Sequence, residues 1–113
     1  MAVNIAAVVT SNRKRLYQGQ PGTSVATIYT VPSATDVKVT QIVLCNTTAS
    51  SATVSISEVP TGGTAGVTNR IIDAMSVAAH ETVVIGGLSS FLTTGDFLAA
   101  LQGTSGAITV TVS

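Results

Sequence analysis

Ala107-Ile108-Thr109-Val110-Thr111-Val112 decides the fold class. Apolar residues alternate with threonines through this stretch, and nearly all are β-branched. That is the period-two pattern of a strand with one apolar and one wet face. Gly103-Thr104-Ser105-Gly106 before it reads as a turn, and Phe97 to Gln102 as the preceding strand. Going back along the chain, Thr94-Gly95-Asp96 is another turn. Thr82-Val83-Val84-Ile85 is a strand closed by Gly86-Gly87, with Ala79-His80-Glu81 as the tight turn leading into it. Leu88 to Thr94 is mixed and reads as holding one helical turn.

The first half repeats the pattern. Thr27-Ile28-Tyr29-Thr30-Val31 is a strand stopped by Pro32, which cannot donate to a ladder. Val37 to Cys45 reads as one long strand. It has a wet face in its first half and is apolar on both faces in Ile42-Val43-Leu44-Cys45, so it is expected to enter the core midway. Asn46 to Ser51 turns, Thr53 to Val59 alternates, and Pro60-Thr61-Gly62-Gly63-Thr64-Ala65-Gly66 reads as an exposed loop. Asn69 to Val77 suits a short helix or a strand; strand is favoured, because its neighbours are strands and no helix cap is evident. The result is about seven or eight short strands at even spacing, the signature of an antiparallel β-sandwich, jelly-roll-like in type. No helical stretch is long enough for a βαβ crossover.

Residues 1–24 differ from the remainder. Apolar Asn4-Ile5-Ala6-Ala7-Val8-Val9 precedes Ser11-Asn12-Arg13-Lys14-Arg15, and then Gly19, Pro21 and Gly22 punctuate the chain. This predicts an extended N-terminal arm (1–24) on a β-sandwich domain (25–113). Three of the five basic residues lie in Arg13 to Arg15. The rest has Lys38 and Arg70 against Asp36, Glu58, Asp73, Glu81 and Asp96, so it carries 2 − 5 = −3 and the whole chain is neutral. Charged residues are 9% of the chain, against about 25% in ordinary domains. So little solvating charge suits a subunit of an assembly. The composition argues against a disordered tail, a coiled coil and a membrane-spanning helix.

The chemistry on offer is sparse. Cys45 is the only cysteine and His80 the only histidine. Cys45 reads as a small buried hydrophobe, and the pair falls short of a structural zinc site. His80 lies beside Glu81 without a nucleophile-elbow pattern and reads as a turn residue. Asp96 follows a glycine at a strand entry, where a side-chain-capped turn accounts for it. No calcium-type loop or phosphate loop is evident. The expectation is no catalytic residue, no cofactor and no metal. Arg13-Lys14-Arg15 suits docking to an acidic surface. Three charges without interleaved aromatics are few for nucleic acid, so a protein partner is preferred and no membrane is implied. Met1 to Asn4 shows no basic-then-apolar leader, so synthesis in a reducing cytoplasm is expected.

Several pieces in order carry a resemblance. They are Leu16-Tyr17-Gln18-Gly19-Gln20-Pro21-Gly22-Thr23, Thr27 to Pro32, Val39 to Thr48 ending Asn46-Thr47-Thr48, Pro60 to Ala65, Asn69-Arg70-Ile71-Ile72, Ala79-His80-Glu81-Thr82 and Thr94-Gly95-Asp96. Over residues 16–112 the chain resembles small all-β virion proteins of tailed bacteriophages, of the head-decoration or minor-tail type. His80 stands where that pattern usually has a turn-forming glycine. The resemblance implies a non-enzymatic, oligomeric virion protein made in the host cytoplasm. The leading expectation is a capsid decoration (cement) protein, a homotrimer bound to the major capsid protein or another virion protein. Its arm would grip the partner through Ile5, Val8, Val9, Arg13, Lys14, Arg15, Leu16 and Tyr17. The alternatives are a minor tail, neck or fibre component, or a jelly-roll glycan-binding module for host attachment.

Overall fold

A computed structural model describes residues 14–113. Ten strands form in chain order: β1 (Tyr17–Gly19), β2 (Ala26–Thr30), β3 (Val37–Val39), β4 (Ile42–Asn46), β5 (Ala52–Val59), β6 (Arg70–Val77), β7 (Thr82–Ile85), β8 (Ser90–Leu92), β9 (Phe97–Gln102) and β10 (Ile108–Val112). A 3-10 turn, Val67–Asn69, precedes β6.

The pairing follows a simple rule. β5 pairs with β6, β4 with β7, β3 with β8, β2 with β9 and β1 with β10, all antiparallel. The chain is thus one long two-stranded ribbon hinged at the β5–β6 connection. The ribbon rolls up when β10 also pairs with β4 and β9 with β5. Two four-stranded sheets result: sheet A in the order β1-β10-β4-β7, and sheet B in the order β2-β9-β5-β6. A ribbon rolled into two such sheets is the jelly-roll arrangement. β3 and β8 form a two-stranded bridge at the corner.

The core lies between the sheets. Sheet A contributes Ile42, Leu44, Ile108, Val110 and Val112; sheet B contributes Val54, Ile56, Val77, Leu98 and Ala100; the corner contributes Val37, Val39 and Leu92. All are buried. Burying each of the larger aliphatic side chains is worth about 1.5–3 kcal/mol, and the absence of tryptophan makes these the main source of cohesion. In β10 the reading is met residue for residue: Ile108, Val110 and Val112 are buried, and Thr109 and Thr111 face out.

Two buried polar side chains hold strand ends. Asn46 donates to the Ser50 and Val77 carbonyls at 2.8 and 2.9 Å and accepts from the Thr48 amide and hydroxyl at 2.9 and 2.8 Å. The Gln102 amide oxygen accepts from Ile108 N at 2.7 Å, and its Nε2 donates to the Pro21 carbonyl.

Four expectations are corrected. First, residues 17–19 are not arm. They form β1 at the edge of sheet A, and Leu16 N already bonds Val112 O at 2.7 Å. The Gly/Pro punctuation that suggested an arm marks the exit from this short strand, where Pro21 is buried and its carbonyl is taken by Gln102. Second, Val37 to Cys45 is two strands. Thr40 N and Gln41 N both donate to Ser113 O, which takes these residues out of the pleat. The buried set therefore switches from odd (Val37, Val39) to even (Ile42, Leu44, Asn46) positions. Third, Cys45 is half-buried on the outer side of β4 rather than inside. Fourth, Ser90–Leu92 is a strand rather than a helical turn, because Lys38 and Phe91 face one another across the β3–β8 pair.

Candidate functional site

The structure places four of the eight residues expected to dock a partner: Lys14, Arg15, Leu16 and Tyr17. Ile5, Val8, Val9 and Arg13 lie outside the described residues. Lys14 and Arg15 are exposed, and Arg15 donates to the Gln18 side chain at 3.1 Å. Leu16 and Tyr17 pack against the sandwich core, so they serve the domain's own fold.

His80 is exposed, with φ +55°. Its amide bonds Thr48 O at 3.1 Å, and its ring makes no hydrogen bond to a described residue. The left-handed conformation is the one a turn demands here. Among the described residues, no three His, Cys, Asp or Glu side chains gather closely enough to hold a metal ion. No helix is long and apolar enough to cross a membrane among them either.

Asp96 does more than cap its own turn. One carboxylate oxygen accepts from Thr93 N at 2.9 Å and Thr93 Oγ1 at 3.2 Å. The other accepts from Thr61 N at 2.9 Å and Thr61 Oγ1 at 3.1 Å. The backbone donors of Thr93 and then Thr61 favour the anion and hold its carboxyl below the ordinary value. The carboxylate is thereby committed to joining two loops.

Beside it lies a shallow depression of about 280 Å³ lined by Glu58, Pro60, Phe91 and Asp96 among others. Phe91 is 72% exposed, and the Lys38 ammonium sits 5.7 Å from its ring centre. In β8 Phe91 alternates with buried Leu92 and so faces solvent.

The broadest feature is the outer face of sheet A. Gln18, Thr111, Val43 and Val84 are aligned across its four strands, followed by Thr109, Cys45 and Thr82. None of the seven carries a charge. The Gln18 and Gln20 amides reach Thr111 Oγ1 and Thr109 Oγ1 at 3.5 and 3.4 Å. The alternate threonines of β10 signalled this face in the sequence, but the neighbours that complete it come from 27 or more positions away, such as Val84 opposite Val43 and Val43 opposite Thr111. The chain matches no family model, and comparison with curated proteins and with solved structures finds no significant similarity.

Proposed function

We infer that the chain is a structural subunit of a virion, acting without catalysis as a capsid decoration protein of tailed-phage type. The outer face of sheet A carries this reading: none of its seven aligned strand residues is charged, and Arg15 touches it at the β1 margin through Gln18. A neutral surface of threonine, glutamine and valine can be covered by another protein without desolvating a charge, whereas a freely diffusing domain gains solubility from charging such a face. The rolled-ribbon fold supports the reading, since jelly rolls recur in viral coat domains and in lectins. So does the sequence resemblance carried by residues 16–112. In this reading the sandwich rides on the capsid as a small oligomer, with a trimer favoured, and the N-terminal arm grips the major capsid protein and neighbouring subunits. The test is cryo-electron microscopy of particles from the source. Density for this chain in lattice-wide copy number supports decoration. A few copies at the neck or tail instead favour the minor tail, neck or fibre role.

A glycan-binding role is the second reading. Exposed Phe91 beside Glu58 is the observation that favours it, an aromatic platform next to a carboxylate. A glycan array with wild type and Phe91→Ala separates the two readings. Binding lost on removal of the ring would favour attachment over cement.

A further inference from the structure

The two sheets have four edges, and three of them are protected. Edge strands present unpaired backbone groups, and natural proteins blunt them with short length, charge, proline or bulges. β1 is three residues long, preceded by Arg15 and followed by Pro21. β2 is bulged between Thr27 and Tyr29. β6 has shifted register against β5, Ala74 at φ +45°, and an Arg70–Asp73 ion pair at 2.6 Å.

β7, four residues long and preceded by Glu81, has no charge, proline or bulge within the strand. Thr82-Val83-Val84-Ile85 holds unbroken register against β4. Val84 is 57% exposed. Which backbone groups face outward follows from one bond: Asn46 N donates to Glu81 O at 2.9 Å. Antiparallel pairs alternate between bonded and non-bonded. Leu44–Val83 and Ile42–Ile85 are therefore bonded pairs, and Thr82 and Val84 direct their N–H and C=O groups away from β4. No described residue takes them.

We propose that β7 is a strand-acceptor edge, and that its occupant is the segment Val3-Asn4-Ile5-Ala6-Ala7-Val8-Val9-Thr10 of a second copy of this chain. Thirteen residues lie outside the described part, and this stretch of them is free of charge and rich in β-branched residues. Its composition suits a strand against an uncharged edge. The described chain starts beside β1, at the opposite edge of sheet A from β7. To reach its own β7 the segment would have to cross the outer face, drawing Arg13 over its uncharged residues while Lys14 and Arg15 stay at the β1 edge, where Arg15 bonds Gln18. Passing to a neighbour leaves that charge in water. Thirteen extended residues span about 40 Å, which covers the distance between adjacent small subunits. Donation from the β1 side of one copy to the β7 side of the next is a head-to-tail contact, the kind that closes into rings or runs on as filaments according to the rotation between copies. The inference concerns self-assembly and stands apart from the virion reading.

The test is sedimentation of the full chain in solution, with no particle present, alongside binding of a labelled peptide of residues 2–12. The full chain is expected to associate, and a variant lacking residues 2–13 to be monomeric and to bind the peptide. Val84→Pro removes an outward N–H while sparing the β4 ladder. It should abolish association, and in the truncated chain weaken the peptide at least about tenfold. Circular dichroism checks the fold. Val84→Lys, which charges the edge at an exposed position, is the second variant should the proline disturb folding. A monomeric full chain, or peptide binding indifferent to both substitutions, would overturn the proposal. So would association that survives the truncation but not the edge variants, since that pattern means two β7 strands pairing with one another. Because no particle takes part, any of these outcomes leaves the capsid reading to its own experiment.

Discussion

Asp96 and Thr61 are 35 residues apart in sequence and joined by two hydrogen bonds, from the Thr61 amide at 2.9 Å and its hydroxyl at 3.1 Å, both to one carboxylate oxygen. The link runs from the β8–β9 turn to the start of the long β5–β6 loop. It pins the hinge of the rolled ribbon to the opposite arm of that ribbon. Thr93 holds the other carboxylate oxygen, so the anion has four donors.

This arrangement predicts an acid-sensitive contribution to stability. The folded-state pKa lies below the ordinary 3.8. The unfolded chain therefore binds the proton first as pH falls, and folding loses Asp96's contribution from about that value downward. Above it, the contribution is fully present. Melting temperature measured from pH 5 to pH 2 should fall more steeply in wild type than in Asp96→Asn, whose amide has no carboxyl to titrate. The variant should already melt lower at neutral pH. Parallel pH profiles would show that the four hydrogen bonds contribute nothing to the pH dependence.

Gln102 is expected to be more important than any other polar side chain in sheet B. It is fully buried, and its amide serves Ile108 N and the Pro21 carbonyl together. Gln102→Leu keeps the volume and leaves both backbone groups without their partner, at about 1–3 kcal/mol for each unsatisfied group. Urea denaturation should show a loss of at least about 2 kcal/mol. A loss near zero would mean that water replaces the amide.

The parity switch at Thr40–Gln41 makes opposite predictions for adjacent residues. Leu44 is buried, while Val43 lies half-buried on the outer face opposite Val84 and Thr111. Leu44→Ala should cost about 2–5 kcal/mol. Val43→Asp should remain folded, at a cost nearer 1 kcal/mol from lost strand preference. Continuing the alternation of Val37 and Val39 would give the reverse ranking, because it puts Val43 on the core side. Denaturation curves for the two variants decide between them.

These residues also show what the sequence could convey. Strands with a local signal, such as the alternation of Ile108–Val112 and the β-branched run of Thr82–Ile85, were legible. The bend at Thr40–Gln41 was not, since it depends on Ser113, more than seventy residues away. β1 and β8 are three residues each, too short for a period to register, and exist because β10 and β3 offer them partners. The closing pairs β10–β4 and β9–β5 have no local signal. The rolled ribbon could be expected as a class but not laid out strand by strand. The candidate surface was hidden for the same reason: an uncharged face is a property of four strands together.

His80 offers the sharpest link between sequence and backbone. It sits at φ +55° in the turn before β7, a left-handed conformation that glycine adopts without steric cost. A left-handed conformation costs a non-glycine residue about 1–2 kcal/mol, somewhat less for histidine. Glycine removes that strain but enlarges the unfolded ensemble by about 0.4–1 kcal/mol. His80→Gly should therefore be stabilising by about 0.5 kcal/mol, a rise of a few degrees in melting temperature for a domain of this size. His80→Val, β-branched and poorly suited to positive φ, should melt lower than wild type. The imidazole makes no hydrogen bond to a described residue, so relief of backbone strain should dominate. If His80→Gly melts lower instead, the ring has a contact that outweighs the strain, and the turn would have to be reconsidered as a place where histidine is selected for its side chain.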